Sequence, residues 1–118
     1  MKTNRRQLGE AGEDLAVAAL KDRGYNILET NYTAPLGEID LIARHRGFLV
    51  FVEVKTRRSL RFGAPQEAVS PAKQARLKRL ADYYLKQKRL TGTPVRFDVV
   101  AITWGDGAPQ VEIIQDAF

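Results

Sequence analysis

The segment that most restricts how this chain can fold is Phe48-Leu49-Val50-Phe51-Val52-Glu53-Val54-Lys55-Thr56, dominated by β-branched and aromatic side chains. Such side chains lose rotamer freedom in a helix but pack well on a pleated surface, so the run is expected to form a strand. Upstream lies a second strand-like stretch, Glu38-Ile39-Asp40-Leu41-Ile42-Ala43-Arg44, and Arg46-Gly47 between the two reads as a tight turn. The pair is expected to form an antiparallel hairpin. If Arg46-Gly47 is a two-residue turn, His45 pairs with Phe48, Asp40 falls opposite Glu53, and Glu38 falls opposite Lys55. A four-residue loop over residues 44–47 would shift the pairing but leave all four side chains on one face, because the side-chain period of a strand is two.

The rest of the chain fills in around this hairpin. Asn4 can cap a first helix, with Gln7 three residues later in a capping-box arrangement. Leu8, Ala11, Leu15 and Ala19 recur at helical spacing, and Gly24 stands where a helix stop is expected. A strand follows over Tyr25 to Tyr32, then a turn around Ala34-Pro35-Leu36-Gly37 that leads into the hairpin. Residues 57–69 have no clean period and carry Arg57, Arg58 and Arg61, which reads as a long basic loop. Ser70-Pro71 is an N-cap and first-turn pair for a second helix with an apolar stripe of Leu77, Leu80, Ala81, Tyr84 and Leu85, stopped by Gly92. Val95 to Thr103 is a further strand, and Gln110 to Ile114 a last one after Gly105-Asp106-Gly107. The order implies an α/β fold over a single domain, residues 1–118. A strand, helix, strand succession calls for a parallel crossover, hence a central mixed sheet with one helix on each face.

Composition narrows the chemistry. The 118 residues are 44% hydrophobic and 28% charged, ordinary for a globular chain, and they contain no cysteine, which excludes disulfides and thiolate metal sites. The basic start is not followed by an apolar stretch of signal-peptide length, and no run is long enough to span a bilayer, so no membrane association and a cytoplasmic location are expected. Nineteen basic residues against fourteen acidic ones give a net charge of +5, which favours polyanions as partners only if the charge is localised.

Two carboxylates facing each other across a hairpin repel. Leu49 and Phe51 share the face of Glu53, so the acids Asp40 and Glu53 and the amine of Lys55 are expected to be partly buried together. A divalent cation would compensate that arrangement: Mg²⁺ is held by one or two carboxylates, keeps waters for substrate phosphate, and can activate water as a nucleophile. Lys55 could then stabilise the attacking water or the charge developing on phosphorus. The competing reading is a set of cross-strand ion pairs on a solvated face.

The same residues carry a resemblance. Ile39-Asp40 followed at a distance by Glu53-Val54-Lys55 resembles the PD-(D/E)xK motif of the restriction-endonuclease-like superfamily, with Ile39 where the motif's name has proline. Gly12-Glu13, Gly37-Glu38-Ile39-Asp40-Leu41-Ile42 and Phe51-Val52-Glu53-Val54-Lys55-Thr56-Arg57 match the pattern of the YraN family of small bacterial proteins, related to Holliday-junction resolvases, over nearly the whole length. The resemblance implies a restriction-endonuclease-like core of the order α-β-β-β-α-β. It also implies that Asp40 and Glu53 ligate Mg²⁺ or Mn²⁺ with the Val54 carbonyl as a further ligand, and that Lys55 assists the nucleophile. Glu13 would complete the acidic cluster, as the corresponding glutamate does in the resolvases; a solvated helix residue is the alternative. Glu38 would orient Lys55 by an ion pair, and Gln66 lies loosely where some nucleases of the superfamily have a glutamine. A homodimer would suit cutting of two strands. The expected activity is hydrolysis of phosphodiester bonds in DNA, favoured over RNA, on branched or repair and recombination intermediates. The alternatives are a non-catalytic nucleic-acid-binding or adaptor protein that keeps the fold, and a protein-interaction module.

Basic residues gather where such a substrate would lie. The second helix carries Lys73, Arg76, Lys78, Arg79, Lys86, Lys88 and Arg89 with Asp82 as its only acid, a skew expected of phosphate contact. Lys73, in the first turn, could reach the end of the sheet that carries the acids. Arg57, Arg58 and Arg61 follow the central strand directly and could grip a backbone. Phosphate contacts position nucleic acid without reading its sequence, so structure preference is expected over base specificity. His45 reads as a turn residue, Trp104 as a packing residue, and Tyr83 as pointing to the basic side.

Overall fold

The computed structural model describes residues 5–58, 69–105 and 107–118, with side chains from Glu10 onward. The first helix, α1 (Arg5–Asp22), ends where Gly24 takes φ 89° and the amides of Gly24 and Tyr25 bond back to Lys21 and Leu20, a left-handed closure that glycine allows at no steric cost. Strands β1 (Asn26–Ala34), β2 (Gly37–His45) and β3 (Phe48–Arg57) follow as antiparallel neighbours, close to the expected boundaries. His45 pairs with Phe48 and Leu41 with Val52, so Arg46-Gly47 is the two-residue turn, both residues having positive φ.

Helix α2 (Pro71–Gln87) is capped by Ser70, whose hydroxyl accepts the Lys73 amide at 3.2 Å, with Pro71 in the first turn. Its end departs from expectation. The helix stops five residues before Gly92, and the left-handed residue that turns the chain is Arg89, φ 55°. Leu90 donates its amide to the Leu85 carbonyl and both side chains pack on the core, so an apolar clasp holds a conformation that glycine would adopt more readily. Strand β4 (Val95–Thr103) then runs parallel to β3, and β5 (Gln110–Ile114) closes the far edge antiparallel. The result is a five-stranded mixed sheet in sequential order, with the expected crossover between β3 and β4.

Each helix covers one face. On the α2 side, Leu77, Leu80, Ala81 and Tyr84 pack on Ile42, Leu49, Phe51 and Val99. On the α1 side, Ala16, Leu20 and Tyr25 pack on Leu41, Ala43, Val50, Val52, Val100 and Ile102. The buried face of α1 is therefore centred on Gly12, Ala16 and Leu20, whereas Ala11, Leu15 and Ala19 are only partly buried. The reason is a close approach: a Cβ on Gly12 would overlap Thr56 Cγ2 of β3, so the helix lays its smallest residue against the sheet. The expected Asn4 cap lies outside the described residues, as do the side chains of Gln7 and Leu8. Among the described residues no helix is long and apolar enough to cross a membrane.

Strand β2 changes face at Asp40. Ile39 belongs to the α2-side core and Leu41 to the α1-side core, although residues two apart on a regular strand share a face. Across from Asp40 on β1 is Asn31, with φ 52°, between the pairs Thr30–Leu41 and Tyr32–Ile39. The ribbon pivots at this rung, and the β2–β3 ladder ends one residue before it, at Leu41–Val52.

Candidate functional site

Beyond the end of that ladder β2 and β3 part, and Asp40 occupies the gap. Its Oδ2 accepts the Val54 amide at 2.8 Å, taking over a bond that the lost ladder would otherwise have made. The carboxyl is pushed up to about 6, first by burial and then by the charge of Glu53, with the Val54 amide opposing and Glu13 adding to the rise. Asp40 thus couples two neighbourhoods. On the α1 side it lines an open groove with Glu10, Glu13, Asn31, Glu38, Val54 and Thr56. Within it, Asn31 donates a long 3.4 Å hydrogen bond to Glu13.

On the α2 side stands Glu53, only 5% exposed although it is an acid. Its Oε1 accepts the Lys73 ammonium at 2.5 Å, and Lys55 lies 3.7 Å from the same oxygen. Burial works against the Lys73 ammonium, but the hydrogen bond and charge of Glu53 outweigh it and raise its pKa. Lys55 is shifted the other way, lowered by burial and by the neighbouring Lys73.

The expected members of the site are therefore brought to one end of the sheet, with two changes. Glu38 and Lys55 do not meet: the strands have separated by that point, Glu38 pairs with Thr33 of β1 on the groove side, and Lys55 pairs with Glu53. The four side chains also do not share one face, because the pivot at Asp40 splits them between groove and α2 side. Lys73 reaches Glu53 from the first turn of α2, at the end of the sheet where it was expected. Arg76 packs along the Gly37 turn at the same end, Arg57 closes β3 half-buried, and Arg58 and Arg79 are exposed. Arg61 and Gln66 lie outside the described residues.

Oxygen donors of the kind Mg²⁺ and Mn²⁺ prefer are present in Asp40, Glu13 and the Val54 backbone beside the groove, and Glu53 adjoins them. The raised Asp40 pKa reflects burial of the carboxyl first and the nearby charge of Glu53 second, with a smaller contribution from Glu13 on the groove side. These residues fit a hard divalent cation in kind. In position they fit incompletely: no group of three acids or histidines among the described residues is gathered closely enough to hold an ion, and Glu53 is turned to Lys73.

A second polar cluster, at the hairpin end of the α1-side core, was missed in the sequence. Asp98 is fully buried and accepts hydrogen bonds from Tyr25 Oη at 2.7 Å, from Arg96 Nε and a terminal Arg96 nitrogen at 2.9 Å each, and from the Asp116 amide at 3.0 Å. His45, expected as a turn residue, is 4% exposed, stacks on Tyr25 at 3.9 Å and meets Arg96 through Nδ1 at 2.8 Å. Burial and the adjacent arginine lower its pKa. The only advance signal was an aspartate inside the apolar strand Val95–Thr103. Every polar atom of Asp98 is committed within the core, so this cluster holds the fold rather than a ligand.

A family model described as "Uncharacterised protein family UPF0102" matches residues 12–102. A UPF0102 protein of Moorella thermoacetica is 50% identical over 121 residues, covering all of both chains. Those of Syntrophus aciditrophicus and Caldicellulosiruptor saccharolyticus are 47% and 44% identical, each over 98% of this chain and over 91% and 99% of their own.

Proposed function

The chain belongs to the uncharacterised protein family UPF0102, the YraN family of the sequence resemblance, and we propose that it is a divalent-metal-dependent nuclease acting on DNA. The observation that carries this reading is the end of β2 and β3, where Asp40, Glu53, Lys55 and Lys73 converge because the ladder opens at Asp40. A closed hairpin would place these charges against each other at a net cost. An opened one makes room between them. The restriction-endonuclease-like relationship is part of the same proposal; the helix, three strands, helix, strand order and the mixed sheet are consistent with it.

In this reading Asp40, Glu53, the Val54 carbonyl and Glu13 hold Mg²⁺ or Mn²⁺. The bound ion would polarise the phosphodiester and lower the pKa of a water. Lys55 stands beside Glu53 with its ammonium half-buried, placed to stabilise negative charge developing on the phosphate oxygens. Arg58 follows β3 beyond the half-buried Arg57, and Arg76 flanks the acids from α2; both are exposed, so phosphates on either side of the cut would have cationic partners. Branched or repair intermediates are the proposed substrates, because this recognition depends on backbone path and not on base edges.

One observation favours a second reading. Glu53 is already neutralised by two lysines, as in a structural ion-pair cluster, which fits a nucleic-acid-binding protein that does not cut. A labelled panel of single-stranded, duplex, flapped and four-way-junction DNA plus RNA, with Mg²⁺, Mn²⁺ or EDTA, separates the two. Cleavage that needs metal and is lost in Asp40→Asn supports the nuclease. Equal binding by wild type and Asp40→Asn without cleavage establishes the binder.

A further inference from the structure

Two ammonium groups address a single carboxylate oxygen. Lys73 and Lys55 both lie against Glu53 Oε1, at 2.5 Å and 3.7 Å, while Oε2 lies outside these contacts. Lys73 comes from a different element, and its backbone is held by the Ser70 cap, so its reach to Glu53 is built into the start of α2. When ionised, Asp40, Glu53 and Glu13 with Lys55 and Lys73 carry one net negative charge as a set. A divalent cation entering among them would leave a surplus of one positive charge in a half-buried place, which the withdrawal of one ammonium removes. Lys73 is the one able to withdraw, because its side chain is 36% exposed against 29% for Lys55 and it starts from a helix end open to solvent.

We propose that the Lys73 ammonium is the resident counter-ion of Glu53 and is exchanged for the divalent cation, so that metal binding and release of Lys73 are one event. This rests on the metal-centre reading above and deepens it. It accounts for the incomplete gathering of acids: Glu53 is turned toward α2 by Lys73 and becomes a ligand when that contact breaks. Apparent metal affinity is then set by competition within the protein, and the freed ammonium remains beside the site where substrate phosphate would lie.

The test is Mn²⁺ binding by calorimetry at pH 7.5 and low salt, without nucleic acid, on wild type, Lys73→Met and Asp40→Asn. Removing the internal competitor is expected to tighten Mn²⁺ binding about tenfold or more, while Asp40→Asn weakens it. Unchanged or weaker binding by Lys73→Met overturns the exchange but leaves the metal centre standing. Absence of Mn²⁺ binding in wild type and Lys73→Met alike overturns both. Because Lys73→Met strips a buried carboxylate of its partner and could impair folding, the wild type is followed as well by nitrogen-15 spectra of the lysine ammonium groups. The Lys73 signal, protected from exchange by its bond to Glu53, is expected to broaden beyond detection as Mg²⁺ is added. A signal that persists at saturating Mg²⁺ contradicts the proposal.

Discussion

Asp40 carries the tension between stability and chemistry most plainly. Its folded-state pKa, about 6, lies above the ordinary value of 3.8. Such a group contributes stability in full below its unfolded pKa, and the contribution disappears as pH rises through the folded value. At pH 7.5 the ionised carboxylate therefore weighs against the fold. Replacing it with Asn keeps an acceptor for the Val54 amide and removes the charge. Without metal, Asp40→Asn is expected to be more stable than wild type by about 1–3 kcal/mol at pH 7.5. The gain should shrink toward zero near pH 4, as read by urea unfolding at both pH values; a destabilised variant at pH 7.5 would contradict the assigned cause. Asp98 has a purely structural part in the fold. The carboxylate is fully buried with four hydrogen bonds, and removing it leaves the Arg96 guanidinium without its counter-ion, so Asp98→Ala is expected to cost about 3–5 kcal/mol in the same measurement.

At the scale of elements, α1 is held to β3 through a single missing methyl group. Gly12→Ala would gain helix propensity of about 1 kcal/mol, but its Cβ overlaps Thr56 Cγ2, and overpacking of that kind costs about 1–3 kcal/mol. We expect a net loss of stability that the added change Thr56→Ser, which removes Cγ2, recovers in denaturant melts of the single and double variants. The elements themselves were legible wherever local chemistry decides: Arg46-Gly47 set the hairpin register, Ser70-Pro71 the start of α2, and Gly24 the end of α1. What was not legible depended on tertiary contacts. Arg89 ends α2 in place of Gly92 because Leu90 and Leu85 close over the core. The pivot at Asp40 needs Asn31 on a neighbouring strand, so a strict period of two could not reveal it, and with it went the expected Glu38–Lys55 pair. The Lys73–Glu53 contact was anticipated only as reach.

For the whole molecule, the fold concentrates opposite charges at one end of the sheet. Acids line the gap and the groove, and the cations of α2 and of the end of β3 surround them. An anionic chain would be attracted by the surround and meet the acids only through a bridging cation. DNA binding measured without divalent metal is therefore expected to weaken steeply with salt. In Arg76→Ala combined with Arg79→Ala, the log–log salt slope should fall by roughly one to two, as loss of one or two phosphate contacts requires. An unchanged slope would remove these arginines from the interface. Hydrolysis and Lys73 exchange both depend on the opened end of β2 and β3 being a metal centre. The most direct test is anomalous diffraction from crystals of the protein soaked in Mn²⁺. The expected result is a peak about 2.1 Å from a carboxylate oxygen of both Asp40 and Glu53, with Lys73 withdrawn. A map with no peak between those two carboxylates, and Lys73 still on Glu53, would contradict it.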